Sequence, residues 1–299
     1  MMKKTLFFFL ALSFTVSFSQ KKASFIYYQK DDVSLNMHVV YPPNFSKNKQ
    51  YTTMVFYFGG GWKKGKTQKF AKQAAYFASR GLLCFLPQYR TEKSHGTTPR
   101  IALQDAKYAM RYLRSHASEL SIDSKKMIVA GGSAGGQLAA AQAFTTNLNH
   151  ENDDLVVSTI PNALVLFNPV VDNGPEGYGY DRGKDYYKDF SPIHNISKLA
   201  PPTLFLLGTT DRIVPVSVAK EYKVKMNAIK KRCDVWLFEG QKHGFYNYVN
   251  LKKHSESNNY NYYKTIHLVD DFLQSIGFIS GKPTVEVPES QGINLYLLD

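Results

Sequence analysis

Ser133 stands in Gly131-Gly-Ser-Ala-Gly-Gly136, directly after the apolar run Met127-Ile-Val-Ala130 and directly before Gln137-Leu-Ala-Ala-Ala-Gln142. A β-branched run, a Gly-x-Ser-x-Gly turn and a helix-forming run, in that order, predict a strand, a sharp turn and a helix, with the hydroxyl lifted above the end of a sheet. Small residues on both sides suit such a turn, because its backbone is strained and the helix packs close to the strand. A glycine-rich turn with an incidental serine is the plainer reading, but it leaves the flanking strand and helix unexplained. The chemistry open to the hydroxyl is attack on a carbonyl carbon. Serine is a weak nucleophile at neutral pH, so the chain must also supply a base, an acid that steadies the base, and donors for an oxyanion.

Each of these has a candidate. Thr203-Leu-Phe-Leu-Leu207 reads as a buried strand, and the following Gly208-Thr-Thr-Asp-Arg-Ile-Val-Pro215 places Asp211, the expected acid, on the loop beyond it. Cys233-Asp-Val-Trp-Leu-Phe238 reads as the next strand, and Glu239-Gly-Gln-Lys-His-Gly-Phe245 places His243, the expected general base, on the loop after that. An Asp before a Pro is often only a turn former or an N-cap, and Glu239 and Asp172 also follow strands, so both are rival acids. His194, in Ser191-Pro-Ile-His-Asn195, is the rival base, but it precedes Asp211 and breaks the order Ser, Asp, His that accompanies a Gly-x-Ser-x-Gly turn of this kind. The strand Thr53-Met-Val-Phe-Tyr-Phe58 runs into Gly59-Gly-Gly-Trp-Lys-Lys-Gly65, where the N–H groups of Gly60 and Gly61, with that of Ala134, are the expected oxyanion donors. A phosphate-binding loop is the alternative, but neither Gly-Lys-Ser/Thr nor Gly-x-Gly-x-x-Gly opens a helix here.

Positioning these groups requires a sheet whose strands end on one side. Ser24–Gln29 and Val33–Val40 alternate around Lys30-Asp-Asp32 and predict a hairpin. Helices are then expected at Gln68–Arg80, Thr98–Ser118, Val216–Lys230 and Tyr260–Ile276, interleaved with strands at Leu82–Pro87, Ala163–Phe167, Thr203–Leu207 and Val235–Phe238. This rhythm is α/β, a mostly parallel central sheet with helices on both faces, and its sites lie beyond the carboxyl ends of the strands. Residues 20–278 are read as one such domain and 279–299 as an extension that packs as an extended strand. The segment from Asn168 to Tyr187 is too long and Gly-rich for an ordinary connection. It is read as part of a substrate wall. Tyr178 and Tyr180, with Trp62 and Phe245, are the expected substrate contacts; the tyrosines suit stacking on sugar rings or an aromatic acyl group, and equally suit pinning the loop.

The chain has 299 residues, 43% of them hydrophobic, enough for one sizeable core. Met1-Met-Lys-Lys4 followed by an apolar run to Phe18, with small residues at Ser17 and Ser19, reads as a secretory leader cleaved after Ser19. Thr and Ser interrupt that run, which is short for a membrane anchor. Cys84 and Cys233 are the only cysteines, too few for a disulfide framework, and both are expected free. The formal charge of +13 admits a polyanionic partner. Nucleic acid is not expected, because no recognition helix or stacking sheet accompanies the charge.

Phe58-Gly-Gly-Gly-Trp62, Gly131-Gly-Ser-Ala-Gly-Gly136, Ser191-Pro-Ile-His194, Ala200-Pro-Pro-Thr-Leu204, Gly208-Thr-Thr-Asp211 and Gly240-Gln-Lys-His-Gly-Phe245 together resemble the α/β-hydrolase esterases of the hormone-sensitive-lipase-like group, closest to their small secreted acetyl-xylan-esterase-like branch. The resemblance spans residues 24 to 277. It implies carboxylic ester hydrolysis through an acyl-serine, without metal or organic cofactor, on a small ester or an esterified oligosaccharide or polysaccharide. The family usually has His where this chain has Phe58, so packing alone is expected to order the oxyanion loop. Two other readings share the motifs. An exopeptidase related to prolyl oligopeptidases usually carries a propeller domain too large for this chain, and a pseudo-hydrolase that binds carbohydrate without cleaving it would not need Ser133, Asp211 and His243 together.

Overall fold

The computed structural model describes residues 20–151, 153–249, 259–290 and 292–298. The expected leader, residues 1–19, lies outside them. In chain order the elements are β1 (Lys22–Lys30), β2 (Val33–Val40), β3 (Tyr51–Tyr57), α1 (Ala71–Ser79), β4 (Leu83–Pro87), α2 (Glu92–His95), α3 (Pro99–Ser115), β5 (Ile122–Gly132), α4 (Ala134–Phe144), β6 (Ala163–Phe167), α5 (Tyr187–Phe190), β7 (Thr203–Gly208), α6 (Val216–Ala228), β8 (Cys233–Phe238), α7 (Tyr260–Ser275) and β9 (Leu295–Leu297).

The strands form one sheet in the order β1-β2-β4-β3-β5-β6-β7-β8-β9. From β4 to β8 every pairing is parallel. Antiparallel pairs close both ends, the β1–β2 hairpin docking on β4 and β9 adding to β8. The central strands are buried along their whole length, the signature of a parallel sheet covered on both sides. Their side chains alternate between two cores. Val55, Tyr57, Met127 and Val129 join the helices α3, α4 and α6 on one face, while Met54, Phe56, Ile128 and Ala130 join α1 and α7 on the other.

The expected elements are present, with shifted ends. α3 stops at Ser115, not Ser118, and the chain turns through Ser121 (φ 62°) into β5. The run expected as one helix from Gln68 opens as a 3₁₀ turn, Thr67–Phe70, before α1. Among its described residues the extension contributes one strand, β9, whose three residues cover the outer edge of β8. Both cysteines are buried and free, and burial pushes their thiols up, that of Cys233 to about 12.

Candidate active site

Ser133 sits between the end of β5 and the start of α4 at φ 56° and ψ −122°, a conformation that L-residues rarely hold. The glycines around it make that turn possible. A Cβ on Gly135 would lie 2.0 Å from the Tyr57 carbonyl oxygen, and one on Gly131 would lie 2.1 Å from the Gly135 carbonyl oxygen. Any larger residue would push α4 off the sheet and lower the serine.

The Ser133 hydroxyl is 2.8 Å from His243 Nε2, and His243 Nδ1 is 2.7 Å from Asp211 Oδ2. The Asp211 side chain is fully shielded from solvent, and its other oxygen accepts the N–H groups of Ile213 and Val214 at 2.8 and 3.1 Å. Those two donors fix the carboxylate, so Nδ1–H donates to it and Nε2 is left as the acceptor of the serine proton. All three residues lie beyond the carboxyl ends of β5, β7 and β8, where the order of the sheet places a site. The rivals are elsewhere. Glu239 engages Asn294, and His194 takes the Ser191 hydroxyl at 2.9 Å with Asp172 at 4.0 Å.

The loop after β3 faces the serine. A Cβ on Gly59 would fall 2.6 Å from the Gly132 carbonyl oxygen and 3.1 Å from Ser133 Cβ, so only glycine allows the approach. Gly60 and Gly61 have φ 139° and 64°, and among the described residues no acceptor takes their N–H groups or that of Ala134. The carbonyls of the loop are held. Lys63 N–H reaches the Gly60 oxygen at 3.1 Å, and the Arg182 guanidinium donates to the Gly61 oxygen at 2.6 Å while covering the rings of Trp62 and Tyr178. Phe58 is ordered by more than the packing that was expected. Its ring stacks on Tyr89 at 4.1 Å, and the Tyr89 hydroxyl donates to the Phe58 carbonyl at 2.6 Å.

Among the expected substrate contacts, Trp62 needs correction. Trp62 is 1% exposed, with Nε1 donating to Gln137 Oε1 at 3.3 Å and its ring edge on Phe190, so it supports the oxyanion loop from inside and presents no face to a substrate. Phe245 is half-buried and packs on Phe238 and Tyr246 at the edge of the core. Tyr178 is half-buried with its hydroxyl over Gly61, and Tyr180 meets the edge of Tyr187. Thus the 168–187 segment braces the oxyanion loop through Tyr178 and Arg182, and Tyr178 also lines a depression with Val170, Val171, Ile213 and Val214.

One residue escaped the sequence. Asn168, at φ 37° just beyond β6 and 1% exposed, puts Nδ2 2.9 Å from both ring nitrogens of His243. An Asn between a strand and a proline reads as a turn former, and nothing in its neighbours marks it as touching the base.

The BD-FAE family model matches residues 37–175, and the dienelactone hydrolase family model matches residues 169–275. Esterase LipC of Mycobacterium tuberculosis is 28% identical over 220 residues, 66% of this chain and 54% of LipC. An acetylxylan esterase of Xylanibacter ruminicola is 24% identical over 209 residues, 62% of this chain and 39% of that protein. The chain therefore spans about half the length of LipC and less of the acetylxylan esterase. Among solved structures, the apo form of Thermogutta terrifontis esterase 2 superposes with a TM-score of 0.81 at 34% identity, covering 87% of this chain and 96% of that one. The butyrate-bound form of the same esterase gives 0.79 at 33% identity with the same coverage. With that identity sustained over most of both chains and the same sheet beneath it, this chain belongs to the α/β-hydrolase esterases.

Proposed function

We propose that the protein is an exported serine carboxylesterase acting on short-acyl or aromatic esters, including acetyl or feruloyl groups on polysaccharide. The hydrogen-bonded line from Asp211 through His243 to Ser133 carries this reading. His243 Nε2 takes the hydroxyl proton as Oγ attacks the ester carbonyl, and the N–H groups of Gly60, Gly61 and Ala134 receive the oxyanion. The imidazolium, steadied by Asp211, then gives its proton to the leaving alkoxide, which departs as the alcohol and leaves an acyl-serine. Water, deprotonated by the same histidine, repeats the attack and frees the acid.

Short acyl groups are favoured by the butyrate in the Thermogutta esterase and by the small size, about 230 Å³, of the depression next to the Asp211 loop, whose apolar part is Val170, Val171, Ile213 and Val214. The acetylxylan esterase among the relatives, and the leader expected at residues 1–19, support an ester on an extracellular glycan. The test is release of acid from aryl acetate, aryl butyrate, acetylated xylan and a feruloylated oligosaccharide by the wild type and Ser133→Ala. Turnover by the wild type alone, with about 10⁴-fold or greater loss in the variant, is expected. Equal turnover by both refutes the assignment. Mature protein recovered from outside the cell, with Gln20 as its first residue, is the outcome expected for export.

A further inference from the structure

Lys64, Lys66, Lys69 and Lys93 line a depression of about 810 Å³ beside the oxyanion loop. It runs on into a second of about 400 Å³, and Gly65, Lys66, Gln68, Thr91 and Ser94 line both, so the two are one groove. The groove has two walls, the segment from Lys63 to Lys69 and the turn from Thr91 to His95. These are tied together by the amides of Glu92 and Lys93, which donate to the carbonyls of Trp62 and Lys63 at 3.1 and 2.8 Å. Within the second wall, the Thr91 and Ser94 side chains cap α2 reciprocally. The lysines are exposed, and no ion pair among the described residues joins any of them to a carboxylate. Glu92 is the only acidic residue of the two walls, against five lysines once Lys63 is included.

The groove adjoins the oxyanion loop through Phe58, Lys64 and Gly65. Lys69 Nζ donates to the Gly59 carbonyl at 3.3 Å, and Gly59 is the residue that packs on Ser133. The smaller depression on the Asp211 loop has the opposite sign, with Asp172, Glu176 and Glu221 in its lining. An elongated anionic substrate is therefore drawn to the lysine side and repelled from the acidic one.

We infer that this lysine groove binds the carboxylate-bearing chain of a uronic-acid polysaccharide whose ester is presented to Ser133. The inference rests on the esterase reading above. The occupant must be part of the molecule that carries the ester, because the groove opens at the oxyanion loop. A glycan with repeated carboxylates meets spaced ammonium groups along both walls, and its hydroxyls meet Gln68, Thr91 and Ser94. A nucleic acid offers phosphates but no carboxylic ester on its backbone, and a membrane surface is flat where this site is concave.

The test measures binding and turnover separately. Calorimetry with an unesterified galacturonate oligosaccharide is run on the full-length protein and on the K64A/K66A/K93A and K64R/K66R/K93R variants, at about 0.02 M and about 0.5 M salt. The wild type is expected to bind the anionic oligomer, more weakly by about tenfold at high salt; the alanine variant loses about tenfold at low salt, and the arginine variant keeps its affinity. The ratio of kcat/KM for acetylated galacturonan over neutral acetylated xylan is expected to fall about tenfold in the alanine variant. Absence of binding by the wild type, equal affinity in the alanine variant, or an unchanged ratio overturns the inference. So does a DNA oligomer that binds as tightly with the same lysine dependence. Failure to turn over aryl acetate would strike the esterase reading instead, and the calorimetry would still decide whether the groove binds uronate.

Discussion

Tyr89 lies flat against Phe58, with ring centroids 4.1 Å apart and planes 12° from parallel, and the same tyrosine donates its hydroxyl to the Phe58 carbonyl at 2.6 Å. Stack and hydrogen bond together fix the peptide that leads into Gly59, at the point where the family usually has histidine. Gly65 leaves room for the ring; a Cβ there would fall 2.3 Å from Phe58 Cδ2. Burial pushes the Tyr89 phenol well above its ordinary value, so it remains a donor at all working pH. Tyr89→Phe keeps the stack and orphans the carbonyl. The expected outcome is a loss of about 1–3 kcal/mol in urea unfolding. The expected kinetic effect is a kcat about tenfold lower with KM little changed, since the oxyanion loop acts on the transition state. Unchanged kcat would show that the ring contact alone holds the loop.

A second brace comes from the opposite side. Arg182 donates to the Gly61 carbonyl at 2.6 Å and stacks over Trp62 and Tyr178. Its planar guanidinium does both at once, which an ammonium cannot. Arg182→Lys is therefore expected to behave like Arg182→Ala, each lowering kcat/KM for aryl acetate by about tenfold. Wild-type kinetics in the lysine variant would mean that charge suffices and that the stack is incidental.

The contact of Asn168 with His243 bears on pH dependence. Its Nδ2 is 2.9 Å from both ring nitrogens, but Asp211 and Ser133 already engage these, while Asn168 Oδ1 is buried with no partner among the described residues. Equal distances to the two nitrogens put the carboxamide over the face of the ring, and a half-turn brings the oxygen there, against a ring that becomes cationic when protonated. Asn168→Asp places a carboxylate at the same spot. An opposite charge at that range favours imidazolium over the neutral ring. Because neutral His243 is the base, the acid limb of the pH–kcat/KM profile is expected to move to higher pH. An unmoved limb would show that Asn168 fills space and does not sense the ring's charge.

The sheet and the triad were legible in the sequence for one reason. Parallel strands buried on both faces read as short unbroken apolar runs, and the catalytic loops begin where those runs stop, as after Phe238 and Leu207. What escaped depends on side chains that meet across the fold. Tyr89 follows a strand and looks like any buried aromatic until its hydroxyl is seen on Phe58. Trp62 was misplaced because an aromatic residue next to the oxyanion glycines suits a substrate wall, whereas its positive φ of 57° and its bond to Gln137 turn it inward. An extended strand was expected in the tail and β9 is one, but its pairing with a strand about sixty positions earlier is not carried by a local pattern.

Lys107 provides a test of stability away from the chemistry. It is buried in α3, its ammonium donating to the Asn147 carbonyl and, at 3.3 Å, to Asn149 Oδ1. Burial, reinforced by Arg111 and opposed by Asp153 and Asp189, pulls its pKa from 10.5 down to about 7. Between those values the unfolded chain keeps a proton that the folded chain has released, so stability rises with pH across that window. Below about 7 both states are charged and the full cost of burying the ammonium remains. Lys107→Met removes the titration but leaves the Asn147 carbonyl unpaired, while Asn149 Oδ1 keeps the Arg111 guanidinium at 3.0 Å, and this lowers stability about equally at every pH. The quantity that decides is therefore the Tm of the variant minus that of the wild type. It is expected to be higher at about pH 6 than at about pH 10 by roughly 5 °C. A difference independent of pH would mean that Lys107 stays charged throughout, held by Asn147 and Asn149 strongly enough to cancel its burial.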